Sequence, residues 1–594
     1  MFTMKNYPFF YILRLSIIIL ISSFLAQSCK KPIEVPLLTK GNGDIYYGGI
    51  FRVNESAELR SLDPVRIQDV TSSHIAEQIY DNLVTLDENL SIELGLAYKW
   101  SVSDDGMLYT YHLRSGVYFH DNKCFPNGKG RIMNARDFKY SLTRVCDPRT
   151  GSLNYEYFKN KISGSKEYYE SIEEAVTNKT EPKIKEVTGL IVKDDSTFQI
   201  QLEKPFAPFE FMVTLSSCAV IPHEAVELYG KDFFQNPVGT GPFVFQYWRP
   251  DRDLLMTRNP RYWKYDESGN QLPYLHAVRF SFLKDEKTQL LEFKDGNLEE
   301  SYRIPSEFFL GMVDVQKQRL KGSYEQFTLH SVSSLATQYY GMMVTSKELQ
   351  DKRVRQAISY AVDRDRIIRY VLQGQAAGPG KHGLVPPSMP EYFADSIQGF
   401  SFNLEKARSL MSEAGFPFGK GFPVLTLQLN AGGGRNLLVA EAVQGMLQEN
   451  LGITVELKQV EFAKHLEEVD NGRSAFYRLG WVADYPDPES FLNLLYGKLV
   501  PDKGISPVNS VRYKNPEFDV VYEKALLTTN TKDRMALYRK AEQIAINDAP
   551  MLIIFYDQDY RLVQPYVENY KNNSMDKRRY KYVWFNKGKY KNSI

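Results

Sequence analysis

Cysteine is scarce in this chain. Four occur in 594 residues, at 29, 124, 146 and 218, and their spacings match no zinc motif. Three lie beyond Cys29, so at least one stays unpaired within the chain, with room for one disulfide among Cys124, Cys146 and Cys218 that the sequence does not choose. Histidine is scarce too. The eight, at 74, 112, 120, 223, 276, 330, 382 and 465, form no close pair at ligand spacing, which argues against a dedicated metal cage. An excess of one charge is also missing: 73 Lys and Arg stand against 72 Asp and Glu, a formal net charge of +1. That balance argues against nucleic acid or an acidic lipid surface as the main partner. No G-x-S-x-G, H-E-x-x-H or phosphate-loop motif occurs. Asp484, Asp487 and Glu489 could be imagined as the acid and base of a hydrolase, but they share one Pro-rich loop whose turn chemistry explains them. No enzyme and no cofactor is expected.

Long apolar runs are confined to the N-terminus. Lys5 and Arg14 precede Leu15–Leu25 (LSIIILISSFL), small residues follow, and then Cys29. The run is short for a membrane span and reads as a secretory signal over residues 1–28. It resembles a bacterial lipoprotein signal, in which such a cysteine is lipidated and becomes the new N-terminus; Ala26 stands where that pattern usually has leucine. Cys29 is therefore the expected lipidation site and residues 29–44, with Pro32, Pro36 and Gly41, a leash to the membrane. An exported, periplasmic or cell-surface protein follows.

The remaining length suffices for two or more domains. Gly49–Asn54 reads as a first strand, Ser61–Pro64 as a turn, and Ile75–Leu83 has helical spacing. Leu108–Leu113 alternates as a strand and Gly116–His120 reads as another, while Asn134 caps a helix from Ala135 to about Arg144. Residues 150–186, rich in Lys, Glu and Tyr, read as an insertion with little core. Leu190–Leu202 is a hairpin and Pro237–Pro242 a glycine-rich backbone turn before strand Phe243–Trp248. His276–Leu283 is a strand, Val354–Tyr370 a helix, and Asn403 caps another helix that Gly415 ends. Strands Val424–Leu429 and Ile453–Val460 flank helix Leu437–Asn450, which implies a parallel pair in an α/β lobe. Gly432–Arg435, ahead of that helix, reads as a loop or as an anion site at a helix start. Helix Asp533–Ala549 and strand Met551–Tyr556 follow, and the basic, aromatic tail from Lys571 reads as a solvated edge.

One stretch has a sharper chemistry. Phe476, Tyr477, Leu479, Trp481 and Val482 suit a strand, and Pro486 and Pro488 end it. Asp484 is left at the exit between Trp481 and Tyr485. A carboxylate among aromatics either decorates a surface turn or holds one cation where water is scarce. Arg478, at even spacing, shares a strand face with the acid, although six extended residues span about 20 Å unless the chain bends at Gly480.

The order of motifs resembles the peptide-binding proteins of ABC transporters, the family-5 extracellular solute-binding proteins. It rests on SLDP (Ser61–Pro64), IYDNLV (Ile79–Val84), Leu96–Asp121, NARDFKYSL (Asn134–Leu142), PVGTGPFVF (Pro237–Phe245), RNPRYW (Arg258–Trp263), Asp351–Ile368 and GWVADYPDP (Gly480–Pro488). The resemblance implies an α/β fold of the type II periplasmic-binding-protein kind: lobe one at 45–282 with an extra subdomain at about 85–187, lobe two at 283–557, and a return to lobe one at 558–594. The crossings fall near Phe280–Asp285 and Asp557–Tyr560. It also implies a monomer that captures short peptides in the interlobe cleft and delivers them to ABC transporter permease subunits. Asp484 would pair with the peptide ammonium and Arg478 with the carboxylate of a short peptide. Trp481, Gly480 and Tyr485 complete the wall, and the loop Gln68–Ser72, through Val70, would offer backbone in strand-like fashion. A second arginine found in some relatives is replaced by Val469. The same scaffold is reported to host nickel complexes, haem, opines and oligosaccharides, so a non-peptide solute is the alternative.

Overall fold

The computed structural model describes residues 37–590 apart from 153, 432 and 433, so the signal segment, Cys29 and part of the Gly432–Arg435 loop lie outside the described residues. Strand Ile50–Asn54 forms as expected and runs parallel to Ala277–Ser281, at one edge of a four-stranded sheet with Phe243–Arg249 and Asp253–Arg258. A second four-stranded sheet holds Ala97–Val102, Leu108–Leu113, Thr197–Gln201 and Leu190–Asp194. It takes the expected hairpin into the extra subdomain, which therefore runs past residue 187. Both sheets share one continuous apolar core.

Lobe two is built on a seven-stranded sheet. Its order is Glu300–Tyr302, Met551–Val563, Thr328–Met342, Phe476–Val482, Leu425–Asn430 and Val455–Val460, with Gly378–Pro379 pairing Met551–Val563. The expected parallel pair is present, Leu425 to Asn430 against Val455 to Val460. One face packs on helices Lys352–Ala361, Leu404–Glu413 and Gly434–Leu451, and the other on helices Pro516–Leu526 and Thr531–Asp548.

Several expectations give way to local physics. The first long helix is Val70–Ile79, not Ile75–Leu83: Asp69 caps it by accepting from Ser72 N at 2.8 Å. It stops at Tyr80 because the glycine turn abuts its end, with Gly241 N donating to Ile79 O at 2.9 Å. A Cβ on Gly239 would lie 2.2 Å from Ile79 O, so only glycine fits there. Gly116–His120 makes only an isolated bridge, Tyr118 to Ile132, and no strand. The helix expected over Val354–Tyr370 breaks at Val362, where Asp363 caps a new turn through Arg366 N at 3.1 Å and the Arg364 guanidinium takes the carbonyls of Ser359 and Val362. Residues 150–186 do contribute core: Tyr155, Phe158, Tyr168 and Ile172 from helices Tyr155–Phe158 and Ser165–Asn178 are buried in it. The tail is no solvated edge either, since Arg578, Tyr580, Val583 and Phe585 are buried. Cys124, Cys146 and Cys218 are all free thiols.

The chain crosses between lobes at two adjacent places. Glu299 N donates to Arg52 O at 2.8 Å and Gln564 N to Glu299 O at 3.0 Å, which joins both crossings to the first strand. Tyr560 and Leu562 pack with the 290–329 segment, and Val563 and the tail residues Tyr570, Tyr580, Val583 and Phe585 enter the lobe-one core. Here a charged cluster is buried. Arg561 pairs with Glu300, with Asp559 at 2.9 Å and with Asp576 at 2.6 Å, and Arg578 with Glu300 and Asp576, both at 2.7 Å. His74 adds itself between Glu55 at 2.8 Å and Asp576 at 3.4 Å. Removing one partner leaves the others charged and unpaired in a dry site. Arg561→Met is therefore expected to cost about 3–5 kcal/mol, seen as a lowered denaturant midpoint; an unchanged midpoint would show that the cluster is dispensable.

Candidate functional site

The Phe476–Val482 strand forms where the aromatic and β-branched run placed it. It pairs antiparallel with Ala336–Met342 without a bulge and parallel with Leu427 and Gln428. Alternation then sorts its side chains. Leu479 and Trp481 face the helices at the C-terminal side of lobe two and pack against that cluster. Arg478 and Gly480 face the other way. Trp481 is thus separated from Arg478 by the sheet itself, and its buried indole N–H has no acceptor among the described residues.

No bend occurs at Gly480, so the condition under which Arg478 and Asp484 would come close is not met. Gly480 sits opposite Gln338 in the ladder, and a Cβ there would come 2.6 Å from the Gln338 amide oxygen. The glycine gives Gln338 room to lie flat. Gln338 accepts from the Arg478 guanidinium and donates to Asp557 at 2.5 Å. Arg478 also donates to Asn430 Oδ1 at 3.2 Å. Arg435 pairs with Asp557 at 2.7 Å and leans over the Phe555 ring. Arg303 lies within electrostatic reach of both Asp557 and Arg478. Arg435 thus pairs with Asp557 directly, Arg478 reaches it through Gln338, and Arg303 adds its charge nearby. Arg435 belongs to the Gly432–Arg435 stretch read as a loop or an anion site; Gln338, Asn430, Asp557 and Arg303 were not singled out as site residues, because they come from separate segments that only the sheet brings together.

Asp484 lies at the strand exit. Ala483 N makes the last ladder-like bond, to Leu335 O at 2.9 Å, and Asp484 N donates to Ser490 Oγ at 2.9 Å. The following prolines are buried and lead into a short helix, Glu489–Leu492. Asp487 and Glu489 are committed to structure. Asp487 accepts from Glu489 N at 2.9 Å and faces Arg534 at 3.4 Å; Glu489 accepts from Tyr522 at 3.0 Å and from Tyr485. The Tyr485 ring joins the lobe-one core and stacks parallel to Phe211 at 6.5 Å. The two lobes thus meet beside Asp484.

Across the junction, Tyr157 of the 150–186 insertion donates to Asp484 Oδ2 at 3.1 Å. Among the described residues Asp484 has no salt-bridge partner within 4 Å. Burial pushes its carboxyl up to about 7 and Glu489 adds to the rise; the Tyr157 and Ser490 hydrogen bonds and the charge of Lys577 oppose it. Lys577 in turn pairs with Glu77, on the Val70–Ile79 helix, at 2.5 Å. Val70 itself is the first residue of that helix and half exposed. The expected strand-like loop therefore ends at Asp69, since the Asp69 cap turns the chain into the helix. No signal in the sequence marked Tyr157 beyond the tyrosine-rich composition of its segment.

A two-lobed α/β protein with an acid at the lobe junction has the build of the hinged solute binders. The chain is a member of the bacterial extracellular solute-binding proteins, family 5, whose model matches residues 91–500. It is 28% identical to the periplasmic oligopeptide-binding protein OppA of Escherichia coli over 87% of this chain and 89% of that protein. It is also 28% identical to heme-binding protein A of Haemophilus influenzae, over 86% of this chain and 87% of that one. Among solved structures, the Helicobacter pylori periplasmic binding protein DppA in complex with the peptide STSA matches with a TM-score of 0.76 at 25% identity, covering 91% of this chain and 98% of that one. The expected type II periplasmic-binding-protein fold is the observed one. Among the described residues no group of three or more His, Cys, Asp or Glu side chains could hold a metal ion, and no helix is long and apolar enough to cross a membrane.

Carbon-13 NMR of the Asp484 carboxyl in the ligand-free protein is expected to titrate near 7, and Tyr157→Phe to move the midpoint higher, because the phenol's hydrogen bond favours the ionised form. A midpoint below 5 would contradict the burial described here.

Proposed function

We propose that this protein is the substrate-binding lipoprotein of an ABC importer, tethered through Cys29, which captures short peptides between its lobes and delivers them to a membrane permease. The observation that carries the reading is Asp484, an acid held at the lobe junction by Tyr157 with no salt-bridge partner among the described residues. A peptide ammonium supplies that partner. Once the lobes shut out water, the pair strengthens, because Coulomb attraction grows as the dielectric falls. One charge-assisted hydrogen bond contributes roughly 1.5–3 kcal/mol, against about 8 kcal/mol for micromolar affinity. Backbone pairing and apolar burial must supply the rest.

The other end of the ligand would meet Arg478, Arg435 and Arg303. Asp557 beside them leaves excess positive charge there, which suits a carboxylate and offsets the arginine replaced by Val469. Since the strand stays straight, Arg478 and Asp484 remain up to about 20 Å apart along it. An extended peptide spans about 3.3–3.6 Å per residue, and the two side chains shorten the gap, so about three to five residues fit. The oligopeptide-binding and dipeptide-binding relatives support the peptide reading, as does the peptide-bound structural neighbour.

Affinity for Ala-Ala-Ala is expected to follow a bell-shaped pH curve. Ionisation of Asp484, with its carboxyl raised to about 7, sets the acid limb; loss of the ammonium proton near 7.7–8.0 sets the alkaline one. Binding should peak between pH 7 and 8 and weaken about fivefold by pH 6. Asp484→Asn should remove the acid limb and weaken binding at least about tenfold. The raised carboxyl means that the folded state holds a proton the unfolded chain has lost between the ordinary value and about 7, so ionised Asp484 subtracts from stability above neutrality. The same variant should therefore unfold no more easily than the parent at pH 8. Titration calorimetry and a thermal melt check both; unchanged affinity in Asp484→Asn sinks the assignment.

A further inference from the structure

Lobe one carries a cavity that the peptide reading does not use. It lies between the Val70–Ile79 helix, the Tyr80–Asn82 segment that follows it and the C-terminal tail. Its volume of about 80 Å³ is several times the roughly 10–15 Å³ that one water-sized sphere needs. Four cations face it: Lys264, Lys577, Arg579 and Lys581. Their partners do not balance them. Lys577 takes Glu77 at 2.5 Å, while Lys264 and Arg579 share the single carboxylate of Glu93. Asp81 spends its oxygens on Thr240, Tyr262 and Trp263, at 3.1, 3.1 and 3.2 Å. Lys581 is left with a neutral hydroxyl, Tyr262 Oη, at 3.4 Å and no carboxylate within 4 Å among the described residues. Arg578 belongs to the hinge cluster and contributes no free charge.

We propose that this cavity is an oxyanion subsite, in which Lys581 and Lys264 hold a carboxylate or phosphate group. Three carboxylates, Glu77, Asp81 and Glu93, leave four cations one negative charge short, and an oxyanion closes that deficit. The enclosed walls make the deficit matter, since an uncompensated buried ammonium is costly. Burial and the neighbouring Lys264 and Arg579 charges lower the Lys581 ammonium to about 8, and a bound anion reverses that push. Lys577 links the cavity to the cleft, because it pairs with Glu77 on the cavity wall and acts on Asp484. The oxyanion comes from one of two sources: a free inorganic anion, or an acidic side chain of cargo held at Asp484.

The test is site-resolved acylation of lysines in the mature protein at pH 7.5, read by mass spectrometry and normalised to the exposed Lys183. Three probes are compared: inorganic phosphate, Glu-Ala-Ala and Ala-Ala-Ala. At least threefold slower labelling of Lys581 with phosphate identifies a free anion. The same slowing with Glu-Ala-Ala but not with Ala-Ala-Ala identifies the cargo side chain. Either protection should vanish in Lys264→Met. A melt in phosphate supplies a second readout: the stabilisation should be lost in Lys581→Met and kept in Lys581→Arg. Absence of protection by phosphate and by Glu-Ala-Ala overturns the proposal, as does equal protection by both peptides, which would reflect lobe closure alone. Peptide affinity, followed separately by tryptophan fluorescence, shows whether the cleft binds peptide regardless of this outcome.

Discussion

Arg561 has no exposed surface, and its guanidinium is shared among Glu300, Asp559 and Asp576. Those residues come from the first crossing, the second crossing and the tail, so a single cation gathers the three segments that join the lobes. Desolvating so many charges is costly, and attraction compensates only when every member is in place. The cluster therefore specifies one arrangement of the crossings. Arg578 and His74 add their own contacts and hold the base of the hinge.

Everything at the site follows from that fixed base. The Phe476–Val482 strand is held in the middle of the lobe-two sheet, with neighbours on both sides, so its two ends are placed with little play. One end carries Arg478 in a network of amides and the Asp557 carboxylate. The other releases Asp484 at the point where the insertion of lobe one arrives with Tyr157. A carboxylate in this position is costly without a cation and stabilised with one, and that difference is what ligand-driven closure requires.

The insertion and the tail change their meaning in this light. Both looked solvated because Lys, Glu and Tyr dominate them. Tyrosine and arginine are amphipathic, however, and their apolar bodies pack while their tips find partners. Tyr168, Tyr580 and Arg578 are buried in this way, Tyr168 on Asp147 and the other two on Glu300, which lies far away in sequence.

Where the signal is local, reading the chain alone succeeds. The Asn134 capping box, the Leu108–Leu113 alternation, the strand–helix–strand order around residue 440 and the strand that delivers Asp484 depend on neighbours within a few residues. The motif order carried the family, since each motif is a contiguous stretch of sequence. Partnership across the chain was decided by tertiary structure alone. The side of the sheet on which Trp481 lies, the clearance over Gly480, the three arginines around Asp557, and Tyr157 at Asp484 all depend on strand pairing and lobe closure between segments hundreds of residues apart. Periodicity reports which residues share a face; it contains no information about what that face will meet.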